Sequence, residues 1–157
     1  MSFKNILCFG TLNPDLIYFV DELPNKGDDI RSLKSSIRPG GTAINCSELI
    51  SLWDKSVHVR GNSIGSDPMG KYLVDYLKEN NINFDGLIIN QSLTPTCSIF
   101  VDSSGERTIV SSGYEGLEWS NFENLNNFDS LIIDRYSIKF IKDKLKDLKK
   151  QNSLFVC

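Results

Sequence analysis

Histidine is almost missing from this chain: His58 is the only one among 157 residues. A Ser-His-Asp relay needs a histidine base, and a multi-histidine zinc site needs several, so both chemistries are nearly excluded. Cysteines are few as well. Cys8, Cys46, Cys97 and Cys157 lie scattered among apolar residues without CxxC spacing, as small buried hydrophobes of a reducing cytoplasm do. No apolar stretch approaches the ~18 to 20 residues of a membrane span. The amino terminus, Met-Ser-Phe-Lys-Asn, runs directly into an apolar segment with no small-residue cleavage site, so no signal peptide is expected. Neither sign of charge dominates, with a net charge of −3. No basic run is interleaved with aromatics, which leaves nucleic acid an unexpected partner. Internal repeats and low-complexity segments are absent too.

What the chain does hold is enough apolar material, 40% of its residues, for one domain with a real core. Ile6-Leu7-Cys8-Phe9, closed by Gly10, is a continuous apolar run of the kind buried on both faces of a parallel sheet. Residues 57–59, Leu87-Ile88-Ile89, Leu131-Ile132-Ile133 and Leu154-Phe155-Val156 repeat that pattern. Between these runs, Ala43, Cys46, Leu49, Ile50 and Trp53 recur at helical spacing. So do Met69, Tyr72, Leu73, Tyr76 and Leu77, and later Ile138, Ile141, Leu145 and Leu148. A second class of strand is only half apolar. Residues 16–20 follow an expected turn at Asn13-Pro14-Asp15, and residues 28–37 look extended. Residues 96–102 alternate and return through Ser103-Ser104-Gly105 as a hairpin. Residues 112–128 show no period. The mixture predicts an α/β fold, a Rossmann-like parallel core beside a small β-sheet lid. A core strand at the last residues, with no helix after it, leaves an open sheet edge. The chain is therefore expected to be incomplete at its C-terminus.

The stretch that organises the rest is Arg38-Pro39-Gly40-Gly41-Thr42-Ala43-Ile44-Asn45. Pro39 is expected to end an extended segment, and the two glycines let the backbone turn with no Cβ in the way. The helix that follows then points free backbone N–H groups at open space, with Thr42 and Asn45 beside them. Such a tip binds hydroxyls or anions, although a glycine pair also fits an ordinary helix start. Asp15 fits an Asx turn, and equally a carboxylate at the mouth of the first core strand, where open α/β sheets bind ligands. A carboxylate there can accept hydrogen bonds from two neighbouring hydroxyls, which is what a sugar presents.

Other candidates carry weaker chemistry. Gly65-Ser66-Asp67-Pro68-Met69-Gly70-Lys71-Tyr72 nearly spells a P-loop. Tyr72 stands where a Ser or Thr must reach magnesium, and Pro68 removes a phosphate-binding amide. A helix start capped by Asp67 is the better reading. Arg107 sits at a hairpin base, where a solvated cross-strand charge is commoner than a phosphate ligand. Asp134, at the end of a core strand, fits a ligand and a helix cap equally well. The lysines between 139 and 150 read as a solvated helix face.

Taken together, these residues resemble the ribokinase-like (PfkB) carbohydrate kinases, most of all the ketohexokinase-like members. The resemblance runs through Asp15, Asp21-Glu22-Leu23-Pro24, Asp29-Ile30-Arg31 and Gly40-Gly41-Thr42-Ala43-Ile44-Asn45. It continues through Gly65-x-Asp67-x-x-Gly70, Thr94-Pro95-Thr96 and Gly105-Glu106-Arg107-Thr108-Ile109-Val110. It implies that residues 1–157 form the N-terminal portion of one ribokinase-like domain, with lid strands within 12–38 and 96–111. It also implies a cytoplasmic kinase using ATP and Mg2+ to phosphorylate a sugar hydroxyl. Asp15, Gly40, Gly41, Thr42 and Asn45 would hold the sugar, and Arg107 and Asp134 would approach the phosphate or the pocket. The catalytic Asp and its glycine-rich anion hole belong to the family's other half. The chain alone is thus expected to be inactive, and homodimerisation through the lid sheet is implied. A non-catalytic sugar-binding module and a nucleoside or sugar-phosphate kinase of the same fold remain alternatives.

Overall fold

Two sheets of different construction arise from the two kinds of strand. A computed structural model describes residues 5–53, 56–121, 123–141 and 154–156. In chain order the strands are β1 (Asn5–Gly10), β2 (Asn13–Phe19), β3 (Lys34–Gly40), β4 (Ser56–Gly61) and β5 (Ile64–Gly65). They continue as β6 (Ile89–Asn90), β7 (Thr96–Val101), β8 (Arg107–Ser112), β9 (Ser130–Ile133) and β10 (Leu154–Val156). The helices are α1 (Thr42–Ser51), α2 (Pro68–Glu79) and α3 (Ile138–Ile141), with a 3-10 turn at Leu125–Asn127. None of the described helices is long and apolar enough to cross a membrane.

The first sheet is parallel throughout, in the order β10-β9-β1-β4. β1 sits inside it and is apolar on both faces because both are covered. Ile6 and Cys8 join Val57 and Val59 in a cluster with Ala43 and Ile44 of α1 and Leu73 and Leu77 of α2. Leu7 and Phe9 point the other way, to Leu131, Ile133, Leu125 and Phe128. Each such side chain, when fully buried, stabilises the fold by about 1.5–3 kcal/mol. The second sheet runs β3-β2-β7-β8, with β2 and β7 parallel and the outer pairs antiparallel. Its strands are at best half-buried beyond the start of β2 and the end of β3, and β8 is exposed along its whole length. The half-apolar sequences match a layer with one wet face.

Several local expectations change. Asn13-Pro14-Asp15 is the start of β2 rather than a turn, and β3 runs on through Pro39 to Gly40. Pro14 lies directly opposite Pro39. Neither has an N–H to donate, so the two share a position where an antiparallel ladder asks for none. The extended reading of residues 28–37 holds only from Lys34 onward. The run 87–89 yields just the two-residue β6, paired with β5. In α1 the buried face comprises Ala43, Ile44, Ser47 and Ile50, while Leu49 and Trp53 are 62% and 69% exposed. The helix phase is set by a tether, Ala43 N–H to Thr11 C=O at 3.2 Å, which turns that face inward. Ser47 tolerates burial because its hydroxyl donates to Ile44 C=O. Ile138 lies in α3, whereas Leu145, Leu148 and most of the lysine-rich face fall outside the described residues.

The P-loop-like segment is a filled knot. Asp67 caps α2 by accepting from Gly70 N–H, and it also accepts from the N–H and hydroxyl of Thr94. Burial alone would raise the Asp67 carboxyl, but these donors together bring it below its ordinary value. A Cβ on Gly70 would lie 1.8 Å from Gly65 C=O, and one on Gly65 2.1 Å from Ser92 C=O. These glycines permit backbone to touch backbone, leaving no cradle for a phosphate.

Asn62 governs how β1 passes into β2. Fully buried, it accepts from Leu12 N–H and donates to the carbonyls of Leu12 and Ser63. Replacing it by alanine strands buried backbone groups of Leu12, each worth about 1–3 kcal/mol. Asn62→Ala should therefore lose about 3 kcal/mol in urea unfolding. A loss well under 1 kcal/mol would show that Leu12 does not depend on this side chain.

Candidate functional site

At the carboxyl end of β1 the chain must cross into the second sheet, and Asp134 holds that crossing. Its Oδ2 accepts from Thr11 N–H at 2.9 Å and from the Thr11 hydroxyl at 3.3 Å. Its Oδ1 accepts from Ser137 N–H at 2.8 Å and the Ser137 hydroxyl at 2.6 Å. Four donors saturate a carboxylate that is only 6% exposed. Asp134 thus closes the turn that leads into α3 and braces it to Thr11.

Thr11 passes the constraint on to α1. Its hydroxyl oxygen accepts from Thr42 N–H at 3.2 Å and its carbonyl from Ala43 N–H. The helix tip is therefore less open than expected, because two of its first amides are taken within the protein. Gly41 makes the approach feasible. It has φ +83°, and a Cβ there would lie 2.2 Å from Thr11 C=O, so both conformation and space require glycine.

Asp15 stands apart from this saturated cluster. It projects from β2 across from Arg38 on β3 and Cys97 on β7. A Cβ on Gly40 would sit 2.3 Å from Asp15 Oδ2, so glycine at 40 is what lets the carboxylate lie against the strand. Asn13 Nδ2 donates to Asp15 Oδ1 at 2.7 Å, and Tyr114 OH donates to Asn13 Oδ1 at 2.8 Å. No hydrogen bond within the described residues occupies Oδ2. Half-burial raises the Asp15 carboxyl above its ordinary value, partly offset by the Asn13 bond. An oxygen free to accept, beside a glycine-lined helix tip, can receive hydroxyl donors.

Asp15, Gly40 and Gly41 are thus brought together. Thr42 opens α1 directly after them, and Asn45 sits one turn further on, exposed, its N–H closing that turn onto Gly41 C=O. Arg107 is not brought in. It pairs with Val101, which pairs with Phe19, four residues along β2 from Asp15. Those four residues span about 13 Å along β2, and Arg107 lies two strands further across the sheet. Asn13, Tyr114 and Thr11 were missed by sequence reasoning. Period-2 alternation could have found Asn13, since it must share a sheet face with Asp15. Tyr114 comes from a loop with no period and carries no local signal.

The chain matches the family described as pfkB family carbohydrate kinase over residues 4–156. It is 28% identical over 108 residues to a ribokinase of Dictyostelium discoideum, covering 68% of this chain and 34% of that protein. It is 30% identical over 112 residues to a ketohexokinase of Mus musculus, covering 70% of this chain and 37% of that protein. Its fold is also that of a Cryptococcus neoformans var. grubii ribokinase solved in complex with ADP. The TM-score there is 0.71 at 19% identity, over 97% of this chain and 49% of that one. The chain spans about a third of the length of the curated relatives it matches, and about half of that solved structure.

The raised carboxyl of Asp15 has a consequence for stability. A carboxyl titrating higher in the folded than in the unfolded chain disfavours folding once ionised. That penalty is absent below the ordinary carboxylate value and complete above the raised one. Asp15→Asn should accordingly melt at a higher temperature than wild type at pH 7.5, with the gap closing as the pH falls toward ~4. Thermal unfolding across that range checks it, and a wild type more stable at pH 7.5 would contradict the assigned burial effect.

Proposed function

The chain belongs to the pfkB family of carbohydrate kinases, and on that premise we propose that it forms the N-terminal portion, residues 1–157, of a ribokinase-like sugar kinase domain. In this reading it supplies the sugar-binding part and the lid of an enzyme that transfers phosphate from ATP to a sugar hydroxyl. One observation carries the proposal: a half-buried carboxylate, Asp15, keeps an oxygen unoccupied against Gly40 at the carboxyl end of the parallel core. Ligands of open α/β sheets bind at that end. Oδ2 would accept from a sugar hydroxyl, Gly40 and Gly41 would let the ring approach the backbone, and Thr42 and Asn45 would line the tip of α1.

The chain's part in the chemistry is then positioning. Holding the acceptor hydroxyl in one orientation removes rotational freedom before transfer. The sheet containing β2 and β7 would close over the pocket and keep water from being phosphorylated in the sugar's place. ATP supplies the phosphoryl group when bound. Among the described residues no group of three or more His, Cys, Asp or Glu could hold a metal ion, and the Gly65–Gly70 segment is filled by its own backbone. The described residues thus do not fit the magnesium and phosphate sites that a kinase needs. The base, the metal and the anion-binding amides would come from residues outside this chain, which alone would not turn over. Arg107 would matter only if the lid swings its far end inward.

Calorimetry on the protein with D-ribose, D-fructose, adenosine and fructose 6-phosphate tests the site. One of these should bind, and Asp15→Ala should weaken it at least about tenfold, the loss of a charge-assisted hydrogen bond. The melting temperature should not fall. Unchanged affinity in Asp15→Ala would return Asp15 to a purely structural role.

The second sheet also supports self-association. Ile37 and Val110, on its two outer strands and in register on one face, are 48% and 55% exposed, a surface that pairing of two lids as a homodimer would cover. Sedimentation should then give twice the chain mass, reverting to one on Val110→Lys. A monomer at high concentration would rule the pairing out.

A further inference from the structure

Asn13 sits between two groups that could each orient it. Its amide is 2% exposed, and every one of its atoms that can bond is engaged. Nδ2 donates to Asp15 Oδ1 and, at 3.3 Å, to Pro14 C=O. Oδ1 accepts from Tyr114 OH. The amide can face Asp15 with its NH2 or, rotated by half a turn, with its carbonyl. Only the first arrangement suits an ionised carboxylate, since the second sets oxygen against oxygen.

Tyr114 favours the first arrangement. Its hydroxyl meets only acceptors and weak donors: Asn13 Oδ1 at 2.8 Å and Cys97 Sγ at 3.7 Å. Cys97 is in turn 3.4 Å from Ser111 Oγ. These groups can form one directed chain in which each donates toward Asp15, and such chains polarise their members in the same sense. Burial, together with the neighbouring Cys97, pushes the Tyr114 phenol far above its ordinary value, so it stays a protonated donor throughout the working range of pH.

We propose that Tyr114 is a positioning residue for the sugar site, acting through Asn13 to hold Asp15 Oδ1 and so keep Asp15 Oδ2 aimed at substrate hydroxyls. This rests on the reading of Asp15 as the group that grips sugar hydroxyls. The ring never needs to touch the sugar. Its effect is to let β2 present Asp15 in one geometry, because Tyr114 comes from the separate segment after β8. The position of that segment thus becomes coupled to the affinity of the pocket.

The charged and titratable groups around Asp15 are Arg38 from β3, Cys97 from β7, Tyr114, and Asp134, which with Asp15 acts on the Tyr114 phenol. The first turn of α1 carries no acidic residue. Only Asn13 donates a hydrogen bond to the Asp15 carboxylate among the described residues, so weakening that donor must move the titration of Asp15 upward.

The test is Tyr114→Phe in the complete protein, with two independent measurements. The first follows the Asp15 carboxyl carbon by NMR of protein labelled at aspartate, identified by its disappearance in Asp15→Asn. The midpoint should rise by roughly half a pH unit or more. The second is calorimetry with D-ribose and D-fructose at pH 5.0 and 7.5. Affinity should fall roughly three- to tenfold at pH 5.0 and less at pH 7.5. An unchanged Asp15 midpoint in folded Tyr114→Phe overturns the proposal. Asn13→Ala removes the donor itself and gives a second route should Tyr114→Phe not fold. It must move Asp15 upward at least as far, and an unmoved midpoint there overturns the proposal equally. If wild type binds neither sugar, the sugar reading falls, while the NMR midpoint still decides the link from Tyr114 to Asp15.

Discussion

A single saturated carboxylate sets the geometry of this chain. Asp134 accepts four hydrogen bonds, two from Thr11 and two from Ser137. Through them it ties the end of β9 to the exit of β1. Thr11 then holds the first two amides of α1, so three elements from distant parts of the chain meet at one point. Gly10 and Gly41 are glycines for that reason. A Cβ at Gly10 would lie 2.7 Å from Asp134 Oδ2, and one at Gly41 would strike Thr11. The packing tolerates no larger residue where β1, β9 and α1 converge.

Against that fixed junction, Asp15 is the contrasting carboxylate. Asp134 follows the carboxyl end of β9 and Asp15 stands near the amino end of β2, and their surroundings leave them differently satisfied. Asp134 has every oxygen occupied and serves the fold. Asp15 has one oxygen held by Asn13 and one open, and half-burial raises its carboxyl above the ordinary value. A folded protein that keeps a half-buried carboxylate incompletely satisfied carries a group with capacity to bind. The tip of α1 is drawn into the same junction, its leading amides taken by Thr11.

Much of this was legible before any coordinates. The apolar run 6–9 had to be a strand covered on both sides, and the glycine pair at 40 and 41 marked a backbone turn into a helix. Asp67-Pro68 had to cap a helix, because its carboxylate and proline suit nothing else at that spacing. Other expectations failed where a local rule met a tertiary one. Pro14 and Pro39 each argued for a break, yet opposite one another they fit inside a ladder. In the stripe assigned to α1, Ala43 and Ile50 are buried and Cys46 packs against the core, while the tether to Thr11 leaves Leu49 and Trp53 outside.

Periodicity and turn chemistry indicated the two kinds of strand and the helix starts, and the order and spacing of several motifs carried the family likeness. These are properties of neighbouring residues, so short-range sterics and hydrophobic patterning suffice to state them. Tertiary structure alone decided which aspartate is satisfied and which is open, that Arg107 lies a lid's length from Asp15, and that Tyr114 meets Asn13 across 101 positions of chain. Those depend on contacts between segments far apart in sequence. No local pattern encodes such a meeting, because its partner is chosen only when the sheets close.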